Sequence, residues 1–141
     1  MCCRRLLVTN NPSMRQKVIS WDYVSGNSFD VLVRARDLIH AGWVLLTHPL
    51  YGNLRPHQHP YRSVLLERLE GTGPVGTDGF SVDCIENALS VYSSGVLEPE
   101  GLPEDFLRDF SFVDFELMKE SLLRYGMFLR ETPCGSFDER R

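Results

Sequence analysis

The chain has 141 residues, of which 43% are apolar and 24% are charged, and its 15 basic and 19 acidic side chains give a net charge of −4. This length suits one domain that folds around its own core, and the composition argues against a disordered, collagen-like or coiled-coil chain. The mild acidity provides no general attraction for nucleic acid or for an anionic membrane, so neither is expected as a partner.

The first half of the chain follows a strand, strand, helix, strand pattern. Short apolar runs predict three strands, at Arg5–Thr9, Val18–Val24 and Trp43–Thr47. One helical turn is predicted at Met14–Lys17. Asn27 or Ser28 can cap a longer helix that continues to about Ala41, where Gly42 ends it.

The second half begins with a polar stretch, His48–Tyr61, that contains three prolines. A fourth strand is predicted at Ser63–Leu69. The following segment, Gly71–Gly79, holds four glycines and reads as a flexible connection. Ser81 is predicted to cap a second helix that ends near Ser94.

Ser111 and Asp114 have the spacing of a capping box and predict a third helix that runs to about Tyr125. Residues 1–130 are expected to form a single α/β domain, followed by a loose tail at 131–141. A strand–helix–strand unit favours a parallel pairing with a right-handed crossover. The predicted fold is therefore a small three-layer, Rossmann-like α/β domain with a mostly parallel sheet and a helical carboxyl-terminal half.

Ligands of a parallel sheet bind at the carboxyl ends of the strands. Three loops, which follow the first three predicted strands, are therefore expected to form one candidate site. Asn10 and Asn11 follow the first strand, where their carboxamides can bind a ligand or satisfy the turn itself. Ser28 lies at a helix start, where N–H groups and the helix dipole suit an anion, although no nucleotide motif is present. The remaining candidates follow the third strand: Thr47, His48, Arg55, Tyr61, Arg62 and Ser63.

His48 is the candidate catalytic residue, because histidine exchanges protons near neutral pH and a nearby arginine can hold an oxyanion. A small hydrolase or transferase is therefore one alternative. No GxSxG elbow occurs, and Ser63 has no base–acid pair in the sequence, which favours a non-enzymatic role without deciding the question. The other interpretation of this stretch is a surface loop fixed by its prolines.

Two basic residues of the first helix lie beside its apolar stripe. Arg36 and His40 either brace the His48 loop through hydrogen bonds or extend past the stripe to solvent. Because Arg36, Arg55, Arg62 and the histidines surround one predicted loop, the site is expected to be locally positive and to bind a small anionic ligand.

His57 and His59, together with His48, raise the possibility of a zinc site. They lie between two prolines with no acidic or cysteine ligand nearby in the sequence, so neither a metal nor another cofactor is expected. The four cysteines, at positions 2, 3, 84 and 134, form no CxxC pair and favour a reducing compartment. The first apolar run is too short for a signal peptide or a membrane span, so we predict a cytoplasmic protein.

The carboxyl-terminal half is rich in phenylalanine. Core packing is the leading explanation, and any part of this surface that stays exposed would serve as a homodimer or partner face. The apolar residues concerned are Phe106, Phe110, Phe112, Phe115, Leu122 and Phe128.

Four segments of the chain resemble the GrdX family: Thr9–Pro12, Arg36–Gly42, Leu45–Leu50 and Pro60–Ser63. The resemblance covers roughly residues 5–95, and its most specific part is the block from His48 to Ser63. These small proteins are encoded beside glycine, sarcosine or betaine reductase selenoenzymes in anaerobic bacteria, and the family has no established activity. The resemblance implies an accessory role in such a system. Together with the locally positive site, it leads us to expect an accessory protein that binds a small anionic ligand or a reductase component.

This chain also departs from the family pattern. Trp43 replaces a more polar residue, and the glycine-rich stretch at 71–79 and the tail after residue 130 are particular to this chain. His57 and His59 occupy variable positions of the family, which weakens the metal hypothesis further.

Overall fold

The computed structural model describes residues 3–51, 58–69 and 76–129, and the predicted tail lies outside these ranges. The four strands are β1 (Cys3–Thr9), β2 (Trp21–Tyr23), β3 (Val44–Leu45) and β4 (Ser63–Leu69). The three α-helices are α1 (Ser28–His40), α2 (Gly79–Ser90) and α3 (Glu104–Arg124). Short 3₁₀ helices lie at Pro12–Gln16 and Val91–Ser94 of the described ranges. None of the helices in the described ranges has the length and apolar character needed to cross a membrane.

The strands form one mixed sheet in the order β2-β1-β4-β3. β1 is parallel to β2, whereas β4 is antiparallel to both β1 and β3. Two of these three pairings are antiparallel, so the predicted mostly parallel, Rossmann-like sheet is not confirmed. The connection from β3 to β4 contains Pro49, Pro56 and Pro60, which disfavour the crossover helix that a parallel neighbour requires.

Strand direction still brings the candidate loops to one edge of the sheet. Because β4 runs opposite to both of its neighbours, β1, β2 and β3 all point the same way. β4 starts where β1 ends, with Ser63 directly opposite Thr9. We call this end of the sheet the carboxyl edge, after the ends of β1, β2 and β3 that meet there.

Alternating side chains of the two central strands fill separate cores on the two faces of the sheet. Val8 of β1 and Leu66 of β4 belong to a core with α1 and α2. Leu7 and Leu65 pack on the other face, against α3 and the first 3₁₀ helix. The three layers expected from the sequence are therefore present.

Two strands of the first half are shorter than predicted, and one of the two predicted caps of α1 is confirmed. β2 is shorter than predicted, since Val18 instead forms an isolated bridge with Phe128. β3 spans only two residues of the predicted run. Asn27 is the residue that caps α1: its side chain accepts from the Asp30 N–H, and the Asp30 carboxylate accepts from the Asn27 N–H.

Both later helices begin before their predicted caps. α2 starts at Gly79, because the Asp78 side chain accepts from the backbone N–H of Ser81. α3 starts at Glu104, directly after Pro103, so the predicted capping box at Ser111 and Asp114 is wrong. These two residues lie in the middle of α3, and the side chains of both form hydrogen bonds with the end of β1.

Candidate functional site

A buried polar network joins the carboxyl edge of the sheet to α3. At its centre is Asp114, which is 1% exposed and accepts three hydrogen bonds. Ser63 Oγ and Asn11 Nδ2 donate to Asp114 Oδ2 at 2.8 and 3.1 Å, and the Tyr51 hydroxyl donates to Oδ1. Because Ser63 gives its proton to Asp114, Thr9 must donate to Ser63 across their 2.7 Å contact. These donors replace the water that a buried carboxylate loses.

Asn11 closes the network on the side of the first 3₁₀ helix. Its Oδ1 accepts from the backbone N–H and hydroxyl of Ser13 and from the hydroxyl of Ser111, at 2.8 to 3.2 Å. Its Nδ2 donates to the Ser111 carbonyl as well as to Asp114. The Asn11 carboxamide is fully buried and fully used inside the protein, which leaves it no free group for a ligand.

Asn10 faces the other side of the sheet from Asn11, because side chains alternate along β1. Its Nδ2 donates to the carbonyls of Gly26 and Pro60 at 3.0 and 2.9 Å. Its Oδ1 accepts from the backbone N–H of Arg62 at 2.9 Å. One carboxamide thus ties together the loops that follow β1 and β2 and the segment that enters β4.

Arg62 is a buried cation, only 2% exposed. Its Nη1 donates to the Pro49 carbonyl at 3.0 Å, and its guanidinium carbon lies 5.5 Å from the centre of the Tyr51 ring. Burial, and then the neighbouring Asp114 carboxylate, raise the pKa of Tyr51 well above its usual value, whereas Arg62 acts in the opposite direction. The Tyr51 phenol therefore lies between a buried cation and a buried anion and stays protonated.

His59 lies beside this network, 2% exposed and edge-on to the Phe110 ring. Its Nδ1 is 2.7 Å from the Tyr61 carbonyl, which assigns the proton of the neutral ring to Nδ1. No described residue bonds to its buried Nε2. Burial is the main cause that lowers the pKa of His59, and Arg62 adds to it, while Asp114 and the Tyr61 carbonyl oppose it.

Stability is expected to fall between neutral and mildly acidic pH because of His59. Since the folded-state pKa lies below the ordinary value of 6.5, the unfolded chain takes up a proton at higher pH than the folded chain does. The stability that neutral His59 contributes to the fold is therefore fully present above the ordinary histidine pKa of 6.5. It is lost as the pH falls towards the lower pKa of His59 in the folded chain. Urea unfolding at pH 7.5 and 5.5 measures this loss, which we expect to be smaller in His59→Gln. The exposed His40→Gln is the control, and equal losses in wild type and His59→Gln would contradict the assignment.

Two other predicted site residues have structural roles. Ser28 is fully buried, and its Oγ accepts from the Tyr92 hydroxyl at 2.9 Å. Thr47 Oγ1 accepts from the backbone N–H of Leu65 at 3.1 Å and so extends the pairing of β3 with β4. No described hydrogen bond joins the Ser28 or Thr47 side chain to the network around Asp114.

Three of the basic candidates, His48, Arg36 and His40, form no described hydrogen bond or ion pair with one another. His48 is exposed, its Nδ1 accepts from the backbone N–H of Leu50 at 3.0 Å, and no described carboxylate orients it. Arg36 extends to the edge of α1 and comes within 3.8 Å of the Glu86 carboxylate, which fits the solvent-reaching alternative and not a brace. His40 is exposed at the end of α1.

Two predicted residues, Arg55 and His57, lie outside the described ranges. Within those ranges no three His, Cys, Asp or Glu side chains are grouped as a metal ion would require. The predicted residues that the structure does bring together are Asn10, Asn11, Tyr61, Arg62 and Ser63.

A cleft of about 380 Å³ opens at the carboxyl edge, between the ends of β1 and β2 and the start of α1. Its lining includes two tyrosines and two glutamates: Tyr23, Tyr61, Glu98 and Glu100. None of the described residues that line it is basic, so we call it the acidic cleft. Glu98 is oriented by Asn27, whose Nδ2 donates to it at 2.7 Å. The charge of this cleft is opposite to the locally positive site expected from the sequence.

Tyr61 forms a wall of the acidic cleft. It is 7% exposed, and no described residue forms a hydrogen bond with its hydroxyl. Burial, followed by the neighbouring Tyr23 and Asp114, raises the pKa of Tyr61 above its usual value. The hydroxyl is thus a protonated donor and acceptor whose free hydrogen-bonding capacity faces the cleft.

Sequence reasoning missed Tyr51, Asp114, Glu98 and Glu100. A signal for Asp114 exists: it precedes Met118 and Leu122 by four and eight residues, so a helix that buries those two also buries the carboxylate. The two glutamates carry no such signal, because they lie in an irregular segment between two helices.

Comparison with known proteins gives one family. The family model described as GrdX-like protein matches residues 6–123, which extends the resemblance from residue 95 into α3. Searches of the curated proteins and of the solved structures give no match.

Proposed function

Since the chain belongs to the GrdX-like protein family, we propose that it is an accessory protein that binds a small ligand carrying an ammonium group in the acidic cleft. The observation that carries this proposal is the lining of the cleft, which combines the carboxylates of Glu98 and Glu100 with the rings of Tyr23 and Tyr61. An enzymatic role receives no such support, because no described carboxylate orients the candidate base His48, whose Nδ1 accepts from the Leu50 backbone N–H.

Each lining group has a known affinity for a cation. Carboxylates and phenol oxygens accept hydrogen bonds from an ammonium group, and tyrosine rings attract cations through their π electrons. The Tyr23 ring already interacts with one cation, since the guanidinium carbon of Arg15 lies 4.2 Å from its centre. The ligand ammonium group would add a second cation to the same acidic, aromatic surface.

An anion is disfavoured at the same place. The positive end of the α1 dipole faces the cleft, but the Asp30 carboxylate already places a negative charge there. It accepts a hydrogen bond from the backbone N–H of Asn27. An anionic ligand would also approach Glu98 and Glu100. The proposed ligand therefore differs in charge from the anion expected from the basic residues of the sequence.

The connection to an amino-acid reductase system is part of this proposal and rests on the family resemblance. Glycine, sarcosine and betaine all carry a positively charged nitrogen at neutral pH, which agrees with the charge of the acidic cleft. Binding of a reductase component and homodimerisation through α3 remain predictions. Co-purification with a reductase component and light scattering of the isolated protein test these two predictions separately.

Titration calorimetry with glycine, sarcosine, betaine, ethylamine and acetate tests the ligand class. We expect ethylamine, the one compound with a net positive charge, to bind more tightly than acetate, and the three zwitterions to bind more tightly than acetate through their positively charged nitrogen. Binding of ethylamine should weaken as salt is added. Glu98→Gln and Glu100→Gln should each weaken binding by about 2–5-fold, and the double variant by about 10-fold, because each removes one partly exposed charge. Glu120→Gln, on the exposed face of α3, is the matched control. Stronger binding of acetate, or unchanged affinity in the double variant, would refute the proposal.

A further inference from the structure

A second cleft of about 430 Å³ adjoins the acidic cleft and shares Pro12 and Tyr61 with it. Its other walls are formed by Ser13 and by Leu107 and Ser111 of α3, with the exposed Glu104 and Arg108 beside them. The two clefts are thus separated by little more than the Pro12 and Tyr61 side chains.

The two serine hydroxyl groups in this second cleft already form hydrogen bonds within the protein. Ser13 Oγ and Ser111 Oγ lie 3.0 and 2.8 Å from Asn11 Oδ1 and 2.9 Å from each other. Arg108 is turned towards Asp105, 3.4 Å away. Apart from the exposed Glu104 side chain at its border, the surface that remains for a ligand is mostly carbon: the Leu107 side chain, the Pro12 ring and the Tyr61 ring. We call it the apolar cleft.

Tyr61 links the two clefts chemically as well as spatially. Nine-tenths of the residue is buried, and its hydroxyl has no hydrogen-bond partner among the described residues. Because Tyr61 lines both clefts, its ring can supply apolar surface and its oxygen can supply an acceptor for an ammonium group. A phenol group with an unused hydroxyl between an acidic and an apolar surface suits a ligand that has both characters.

We infer that the ligand carries an aliphatic or aromatic group next to its ammonium group, with the ammonium in the acidic cleft and the apolar group in the apolar cleft. This inference rests on the proposed function, since it concerns the same ligand. It names a narrower class: amines with a hydrophobic substituent on a neighbouring carbon, such as hydrophobic amino-acid amides. A ligand without such a substituent would leave the Leu107 surface in contact with water.

The size of the effect follows from apolar burial. Leucinamide differs from glycinamide by a four-carbon side chain, and burying part of that chain against Leu107, Pro12 and Tyr61 should tighten binding by roughly 10-fold. Both compounds carry the same ammonium and amide groups. Their affinity ratio therefore reports on the apolar cleft and is insensitive to the strength of the charge interaction.

Titration calorimetry with glycinamide, leucinamide and leucylglycinamide tests the inference. We expect leucinamide to bind roughly 10-fold more tightly than glycinamide, and Leu107→Ala to reduce this ratio to about 3-fold or less. Leu123→Ala, which trims a leucine that is 64% exposed on the same helix, should leave the ratio unchanged. Circular dichroism confirms that both variants keep their helices. If leucylglycinamide also binds more tightly than glycinamide, the amino terminus of a peptide with a hydrophobic first residue belongs to the same ligand class.

The outcomes separate the two proposals. Equal affinities for glycinamide and leucinamide, with binding still weakened by Glu98→Gln, would overturn the apolar-group inference and leave the proposed function standing. An affinity ratio that Leu107→Ala does not change would overturn it as well. If none of the three amines binds, both the proposed function and this inference are wrong.

Discussion

Replacing Asp114 with alanine is expected to lower the free energy of unfolding by about 3–5 kcal/mol. The substitution removes the acceptor of three buried donors, the Tyr51 hydroxyl, the Ser63 hydroxyl and the Asn11 amide. It also removes the negative charge that contacts Tyr51, the same side chain that the buried Arg62 cation contacts. Neither loss can be repaired by water, because the carboxylate is 1% exposed.

Urea unfolding followed by circular dichroism measures this effect, and an unchanged denaturant slope would show that the folded state remains compact. Asp109→Ala is the matched control: it removes an exposed aspartate from the same helix and should cost less than about 0.5 kcal/mol. Asp114→Asn should lie between the two, since one carboxamide oxygen can still accept while the new amide faces a donor. A loss in Asp114→Ala no larger than in the control would show that the network contributes little.

Asn10→Ala is expected to cost about 2–4 kcal/mol, because it breaks three hydrogen bonds that join three separate segments of the chain. Asn10→Asp should be at least as damaging, although it keeps the shape of the side chain. Its second oxygen would face the carbonyls of Gly26 and Pro60, which now receive the two amide protons. The comparison therefore separates loss of hydrogen bonds from loss of volume.

The control for this pair is Asn87→Ala, which changes an exposed asparagine of α2 and should alter stability by less than about 0.5 kcal/mol. The same urea titration applies to all three variants. If Asn10→Asp were as stable as the wild type, the assignment of the amide nitrogen to the two carbonyls would be wrong.

The elements that rest on local patterns were predictable from the sequence. The run of β4 was predicted with its observed bounds, and α1 was predicted within one residue, because its apolar spacing and its capping residues are local signals. The direction of β4 was not predictable in this way. It depends on how the segment before Ser63 returns to the sheet, and no local periodicity records that path.

The sequence predicted the position of the candidate site better than it predicted the chemistry of that site. Asn10, Asn11 and Ser63 do meet at one edge, as the strand ends suggested. The chain nevertheless places the basic groups by burial and pairing, so that Arg62 is enclosed and Arg36 turns to Glu86. The acidic cleft takes its charge from Glu98 and Glu100, which lie far along the chain from the basic residues on which the expected positive site was based.

Asp114 shows why one sequence pattern can have two meanings. A serine followed three residues later by an aspartate is typical of a helix start, and it is equally what two adjacent turns present on one face. The helix begins seven residues earlier than Ser111, at Glu104, and this shift turns a supposed cap into the centre of a buried network. Only the upstream Pro103, which precedes the first helical residue, indicated the true start.

The lengths of the strands affect how the protein behaves at high concentration. β2 and β3, the outer strands of the sheet, contain three and two residues, whereas β1 and β4 contain seven each. β2 therefore covers only Leu7–Thr9 of β1, and β3 pairs with only Leu66 and Glu67 of β4. An open sheet edge can recruit a strand from another molecule, and the risk grows with the number of unpaired backbone groups along it. The parts of β1 and β4 that lie beyond the short outer strands are therefore where a strand from a second molecule would add to this sheet.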